Sequence, residues 1–140
     1  MNFPTIRHIT IDCSGDPYDV GRFWSELLGL PLDDDDKPGD PEAVIAGPAG
    51  TPGLLFIRVP DGKTVKNRVH LDIRPPVGRT MNEEVERVSR LGGRIIDDRR
   101  TPCGRGWVVF ADPEGNEFCV ELSQAERDAP RAEDPAGEES

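Results

Sequence analysis

Cysteine is scarce in this chain of 140 residues: Cys13, Cys103 and Cys119 stand far apart and never in a CxxC spacing. An odd, scattered set builds neither a disulfide framework nor a cysteine-rich zinc site, so reduced and mostly buried thiols are expected. No apolar run approaches the roughly 20 residues that a membrane span requires. The first residues, MNFPTIRHITIDC, lack the basic stretch and following apolar stretch of a secretion signal, which makes the cytoplasm the expected compartment. Basic residues are outnumbered, 17 against 27 acidic, for a formal net charge of −10. Without a basic stripe, nucleic acid is not an expected partner. Phosphate-cradling glycine loops, nucleotide fingerprints and a Ser-His-Asp arrangement are also missing; GRG at 104–106 reads only as a turn before a strand.

The composition, 35% hydrophobic and 31% charged, is that of a water-soluble domain, and the length suits one domain with a proper core. Residues 125–140 hold six acids and two bases, carry Pro130 and Pro135, and show no hydrophobic periodicity. This stretch is expected to be a disordered acidic tail behind a domain of residues 1–124. The run DDDDK at 33–37 reads as a solvated acidic loop.

The informative feature is an internal repeat. RHITIDC (7–13) and VHLDIRP (69–75) are similar strands whose histidines, His8 and His70, lie 62 residues apart (70 − 8). A helix follows each. Asp16 and Pro17 open the first, whose apolar stripe is Val20, Phe23, Trp24, Leu27 and Leu28, and Gly29 ends it. Thr80 with Glu83 reads as a capping box for the second, with the stripe Met81, Val85, Val88 and Leu91 before Gly92. Three short strands trail each helix: near 30–33, at 42–47 and 53–59 in the first half, and at 93–98, 104–112 and 116–122 in the second. Pro/Gly/Asp turns separate them. The chain therefore reads as an α+β fold of two βαβββ modules in tandem, about 5–60 and 66–123, with helices on one face of a mixed sheet. Alternation turns Ile9, Ile11, Cys13, Val69, Leu71, Ile73, Phe118, Val120 and Leu122 toward the helices. The other face receives His8, Thr10 and Asp12, then Arg68, His70 and Asp72, then Glu117, Cys119 and Glu121.

This pattern resembles the vicinal oxygen chelate superfamily, the glyoxalase, bleomycin resistance and extradiol dioxygenase group. The resemblance covers about residues 5–123 and rests on HITIDCSGDPYDVGRFWSELLGLPL, KNRVHLDI, RLGGRIIDD and VVFADPEGNEFCVEL, above all the DPxGNxF turn before the last strand. It implies that paired modules curl into a cup lined by the helix-free polar face. In the enzymes of the superfamily that cup holds a divalent metal (iron, manganese, nickel or zinc) which coordinates two neighbouring oxygens of the substrate. The ligand places, on the first and fourth strands of each module, carry over to His8, about Ile57, His70 and about Cys119; the interval from 57 to 119 is again 62. Ile57 cannot ligate a metal; a thiolate at Cys119 could complete the set with zinc, although it suits oxygen-preferring metals poorly. Glu121, on the same face, offers a carboxylate in a shifted register, giving His8, His70 and Glu121 as a two-histidine, one-carboxylate set.

Each of these residues also has a plainer role. His8 and His70 serve equally as hydrogen-bonded members of a polar cup. Asp12 and Asp72 orient the imidazoles or pair with Arg68 and Arg74, the arginine pairing being preferred. Glu121 reads as metal ligand and general base or as a solvated carboxylate, and Cys119 lacks a sequence-adjacent base to make it a nucleophile. Trp107 lines the cup or packs at a dimer interface. The expected function is binding of a small molecule in a cup that includes Asp12, Ile57, Arg68, Asp72, Trp107, Glu117 and Cys119. The alternative is a metal-dependent lyase, isomerase or dioxygenase. A homodimer is expected from the resemblance and the exposed sheet edges.

Overall fold

Local signals start and stop the two long helices. In the computed structural model, which describes residues 2–130, α1 spans Pro17–Leu28 and α2 spans Met81–Leu91. The Asp16 carboxylate accepts from the Tyr18 amide at 3.0 Å, Pro17 takes the first helical position, and Gly29 closes the helix in the left-handed region. The α2 capping box forms as expected: Thr80 Oγ1 accepts from the Glu83 amide at 3.1 Å, while the Glu83 carboxylate accepts from the Thr80 amide at 2.9 Å.

The chain divides into two compact units, Met1–Val65 and Lys66–Ser140. In the first, β1 (His8–Cys13) runs parallel to β3 (Gly53–Arg58), and β2 (Glu42–Ile45) runs antiparallel on the other side of β3. Helix α1 packs on β2 and β3 and buries Val20, Phe23, Trp24 and Leu27 with Phe56 and Ile45. In the second, β4 (Leu71–Ile73), β5 (Arg94–Asp98), β6 (Val108–Ala111) and β7 (Glu117–Val120) form a sheet of order β4-β7-β6-β5. β4 is parallel to β7 and the other pairs are antiparallel. Its core is Met81, Val85 and Val88 from α2 with Val108, Phe110, Phe118 and Val120; the Phe110 and Phe118 rings stack at 5.6 Å. Each large apolar side chain so buried contributes about 1.5–3 kcal/mol. At the end of the sheet β5 carries a bulge: Ile95 pairs with Phe110 and Asp97 with Val109, so Ile96 is left over.

Four local expectations are corrected. The strand near 30–33 shrinks to one bridge, Leu32 with Ile45, because Pro31 has no N–H to donate and the chain turns at once, Asp36 N donating to the Asp33 carbonyl. The strand expected over 69–75 is only Leu71–Ile73, and Val69, expected in the core, is 76% exposed. Pro75 and Pro76 stop it on one side. On the other, Asn67 spends its hydrogen bonds on Glu117 and the Val69 carbonyl instead of on a ladder. The strand expected over 104–112 begins at Val108, which leaves Trp107 just ahead of it. Last, residues 125–128 of the expected disordered tail belong to a helix, α3 (Gln124–Asp128), set by a second capping box between Ser123 and Glu126. The Glu126 carboxylate also accepts from the Met81 amide at 2.8 Å, which ties α3 to the start of α2. Residues 131–140 lie outside the described residues.

Candidate functional site

The second unit gathers chemistry-bearing side chains at the paired ends of β4 and β7. His70 directly precedes β4 and Asp72 is its middle residue, so both point from one face. Across the ladder Asp72 pairs with Cys119. His70 Nδ1 lies 3.9 Å from Cys119 Sγ, a weak hydrogen bond whose direction follows the imidazole tautomer, and 3.9 Å from Asp72 Oδ1. One donor atom from each of the three residues lies within 4.8 Å of the others. His70 and Asp72 are exposed and Cys119 is 7% exposed, so the thiol forms the floor of the group.

This cluster lines a cavity of about 480 Å³ whose walls also hold Arg105, Trp107, Glu121 and Arg127. Glu121 lies 3.6 Å from the Arg127 guanidinium, and Arg105 Nη1 donates to the Glu126 carbonyl at 3.3 Å. Gly106, with φ +93°, brings the backbone so close to Arg99 that a Cβ there would meet the Arg99 carbonyl oxygen at 2.1 Å; this turn presents Trp107 to the cavity.

Burial, reinforced by the negative charge of Asp72, pushes the Cys119 thiol up to about 11. At neutral pH Cys119 is a thiol and a poor nucleophile, even though the fold supplies the nearby imidazole that the sequence could not reveal.

The expected site residues separate accordingly. His70, Asp72, Trp107, Cys119 and Glu121 share the cavity, whereas Arg68 and Glu117 do not line it. Glu117 accepts from Lys66 Nζ at 3.1 Å and from the Asn67 amide at 3.3 Å, and so anchors the segment before β4. The preferred arginine partner of Asp72 is replaced by His70, and Arg74 donates instead to Gln124 Oε1 at 2.7 Å. In the first unit, His8 sits across from Gly53, whose missing side chain leaves room for the imidazole, and Asp12 sits across from Ile57. The strand pairing also corrects the repeat interval. Thr10 faces Leu55 as Asp72 faces Cys119, so the first-unit counterpart of Cys119 is Leu55 rather than Ile57. Both are aliphatic, and neither is a ligand.

Arg105 and Arg127 were not anticipated. Composition alone places Arg127 in the acidic tail, although Ser123 followed by Glu126 is a legible helix start. As a metal site, His70, Asp72 and Cys119 fit a cation that accepts sulfur, such as zinc, and do not fit one that demands oxygen only. Glu121 is not part of that group, and His8 belongs to the first unit.

Residues 8–121 match the family model described as a glyoxalase-like domain, and the chain belongs to that family within the vicinal oxygen chelate superfamily. The fold is shared with solved structures of low identity. A glyoxalase/bleomycin resistance protein/dioxygenase superfamily member from Sphaerobacter thermophilus aligns with a TM-score of 0.61 at 16% identity, over 89% of this chain and 100% of that one. The fosfomycin resistance protein FosX from Mesorhizobium loti gives 0.61 at 15%, over 89% and 97%. TnmS3, an antibiotic binding protein from Streptomyces sp. CB03234, gives 0.59 at 20%, over 89% and 99%. No curated protein matches the chain. Among the described residues no helix is long and apolar enough to cross a membrane.

Proposed function

We propose that this glyoxalase-like protein binds a small organic molecule in the cavity of its second unit. The observation that carries the reading is the cavity itself: about 480 Å³, within the range of small-ligand sites, with an indole beside charged groups of both signs. Trp107 offers an apolar platform, Arg105 and Arg127 suit anionic groups, and Asp72 and Glu121 suit cationic ones. Structural neighbours named for fosfomycin resistance and antibiotic binding support a role of this kind. We further propose a homodimer in the cytoplasm, for which the exposed Phe3 and Ile6 of the first unit offer apolar surface to a second copy.

The test uses the two indole N–H signals of the chain, from Trp24 and Trp107, in a nitrogen–proton correlation spectrum. A panel of small polar aromatic compounds is titrated into the full chain. A saturable shift of the Trp107 signal, weakened about ten-fold or more by Arg127→Ala, is the expected result. Shifts confined to Trp24, or none at Trp107 across the panel, would overturn the reading.

A further inference from the structure

We propose that His70 Nδ1, Asp72 Oδ1 and Cys119 Sγ together form a three-donor site for a sulfur-accepting divalent cation, with zinc as the reference ion, built wholly within the second unit. The inference goes beyond the small-molecule reading and does not depend on it. It also departs from a set shared between modules: Asp72 and Cys119 take the places that His8 and Glu121 were expected to fill.

Geometry carries the argument. Zinc bonds of about 2.0–2.3 Å in tetrahedral arrangement separate ligand atoms by roughly 3.3–3.8 Å. The two separations from His70 Nδ1, to sulfur and to carboxylate, are both 3.9 Å. The third pair, Asp72 and Cys119, lies within 4.8 Å. Asp72 and Cys119 are direct partners across β4 and β7, and His70 is two residues from Asp72 on the same face. The register therefore defines the site before any ion arrives.

Donor chemistry agrees. One imidazole, one carboxylate and one thiolate balance a dication, the thiol proton leaving to solvent as the metal–sulfur bond forms. Sulfur selects zinc, cobalt or cadmium over magnesium or manganese. Three protein donors beside a cavity leave a fourth position for water or a ligand, which is the form of an open rather than a structural site. Asp72 lies against both of the other donors, His70 and Cys119.

Cobalt(II) titration of the full chain, followed by the sulfur-to-cobalt charge-transfer band, tests the proposal. We expect a saturable band at about one equivalent, displaced by zinc and not by manganese. Cys119→Ser should abolish it, and Asp72→Asn, a nearly isosteric change at an exposed side chain, should weaken binding about ten-fold or more. His8→Ala should leave the affinity unchanged. Absence of the band, a band that survives Cys119→Ser, or binding lost in His8→Ala would each overturn the single-unit site. Cobalt binding without any Trp107 response to organic compounds would leave this site standing and remove the small-molecule reading; the reverse pattern would do the opposite.

Discussion

Asp72 and Cys119 face each other across the β4–β7 ladder, and that pairing holds a carboxylate charge beside a thiol shielded from water. Two consequences follow from one contact. The metal-free thiol keeps its proton, and a dication would find two ionisable donors side by side.

The first consequence is measurable in metal-free protein. With Cys119 pushed up to about 11, its thiolate is scarce at pH 7 and grows about ten-fold per pH unit as the pH rises toward that value. Iodoacetamide labelling of the Cys119 peptide, followed by mass spectrometry, should accelerate up to about pH 11 without a plateau near pH 9. In Asp72→Asn the curve should move to lower pH, because a nearby negative charge no longer opposes thiolate formation.

A second prediction concerns Glu84 on α2, which is 2% exposed and held by Arg79 Nε at 2.7 Å and Arg87 Nη1 at 3.1 Å. Replacing both arginines by methionine leaves a buried carboxylate without its partners and should cost about 3 kcal/mol, the lower end of the usual range because both arginines are partly exposed. Adding Glu84→Gln to that double variant should recover part of the loss. Urea midpoints of the three proteins measure it.

Two glycines of one turn should respond differently. Gly104→Ala places a side chain in open space at φ +80° and should cost about 1 kcal/mol. Gly106→Ala adds a clash with the Arg99 carbonyl at φ +93° and should cost at least about 2 kcal/mol. Only the second should alter the Trp107 signal, because the turn must move to relieve the contact.

Glu126 supplies the polar link between α3 and α2. Glu126→Ala removes the carboxylate that accepts from the Met81 and Ser123 amides and should cost about 1.5–3 kcal/mol locally. Hydrogen exchange at Met81 and along α3 should quicken, with the amides of β6 and β7 unchanged.

Much of the fold was legible because its signals are local. Asp16-Pro17 and Thr80-Glu83 announce helices within four residues, and the stripes Val20–Leu27 and Met81–Val88 bury as their spacing requires. The errors have nonlocal causes. Val69 looks like a core strand residue until Glu117, fifty residues on, captures Asn67. The interval of 62 fails at the fourth strands because the second unit has more chain between its first and fourth strands: Thr10 pairs 45 residues on with Leu55 (55 − 10), Asp72 pairs 47 residues on with Cys119 (119 − 72). Leu71 therefore meets Phe118 where Ile9 meets Leu54. The site was half legible. His70 and Cys119 could be named from the repeat and the resemblance, but their companionship with Asp72 is a fact of strand register. Arg127 was hidden by the acidic composition around it.

The bulge in β5 sets the character of that side of the second unit. Ile95 and Ile96 are both exposed on the last strand of its sheet, flanked by Arg94, Asp97 and Asp98, the arrangement most prone to recruit a foreign strand if it were flat and neutral. The unpaired Ile96 breaks the regular repeat of backbone donors and acceptors, and the flanking charged side chains would lose water under a second strand. One surplus residue thus works as a safeguard against fibrous stacking, and deleting Ile96 would trade a kinked edge for an adhesive one.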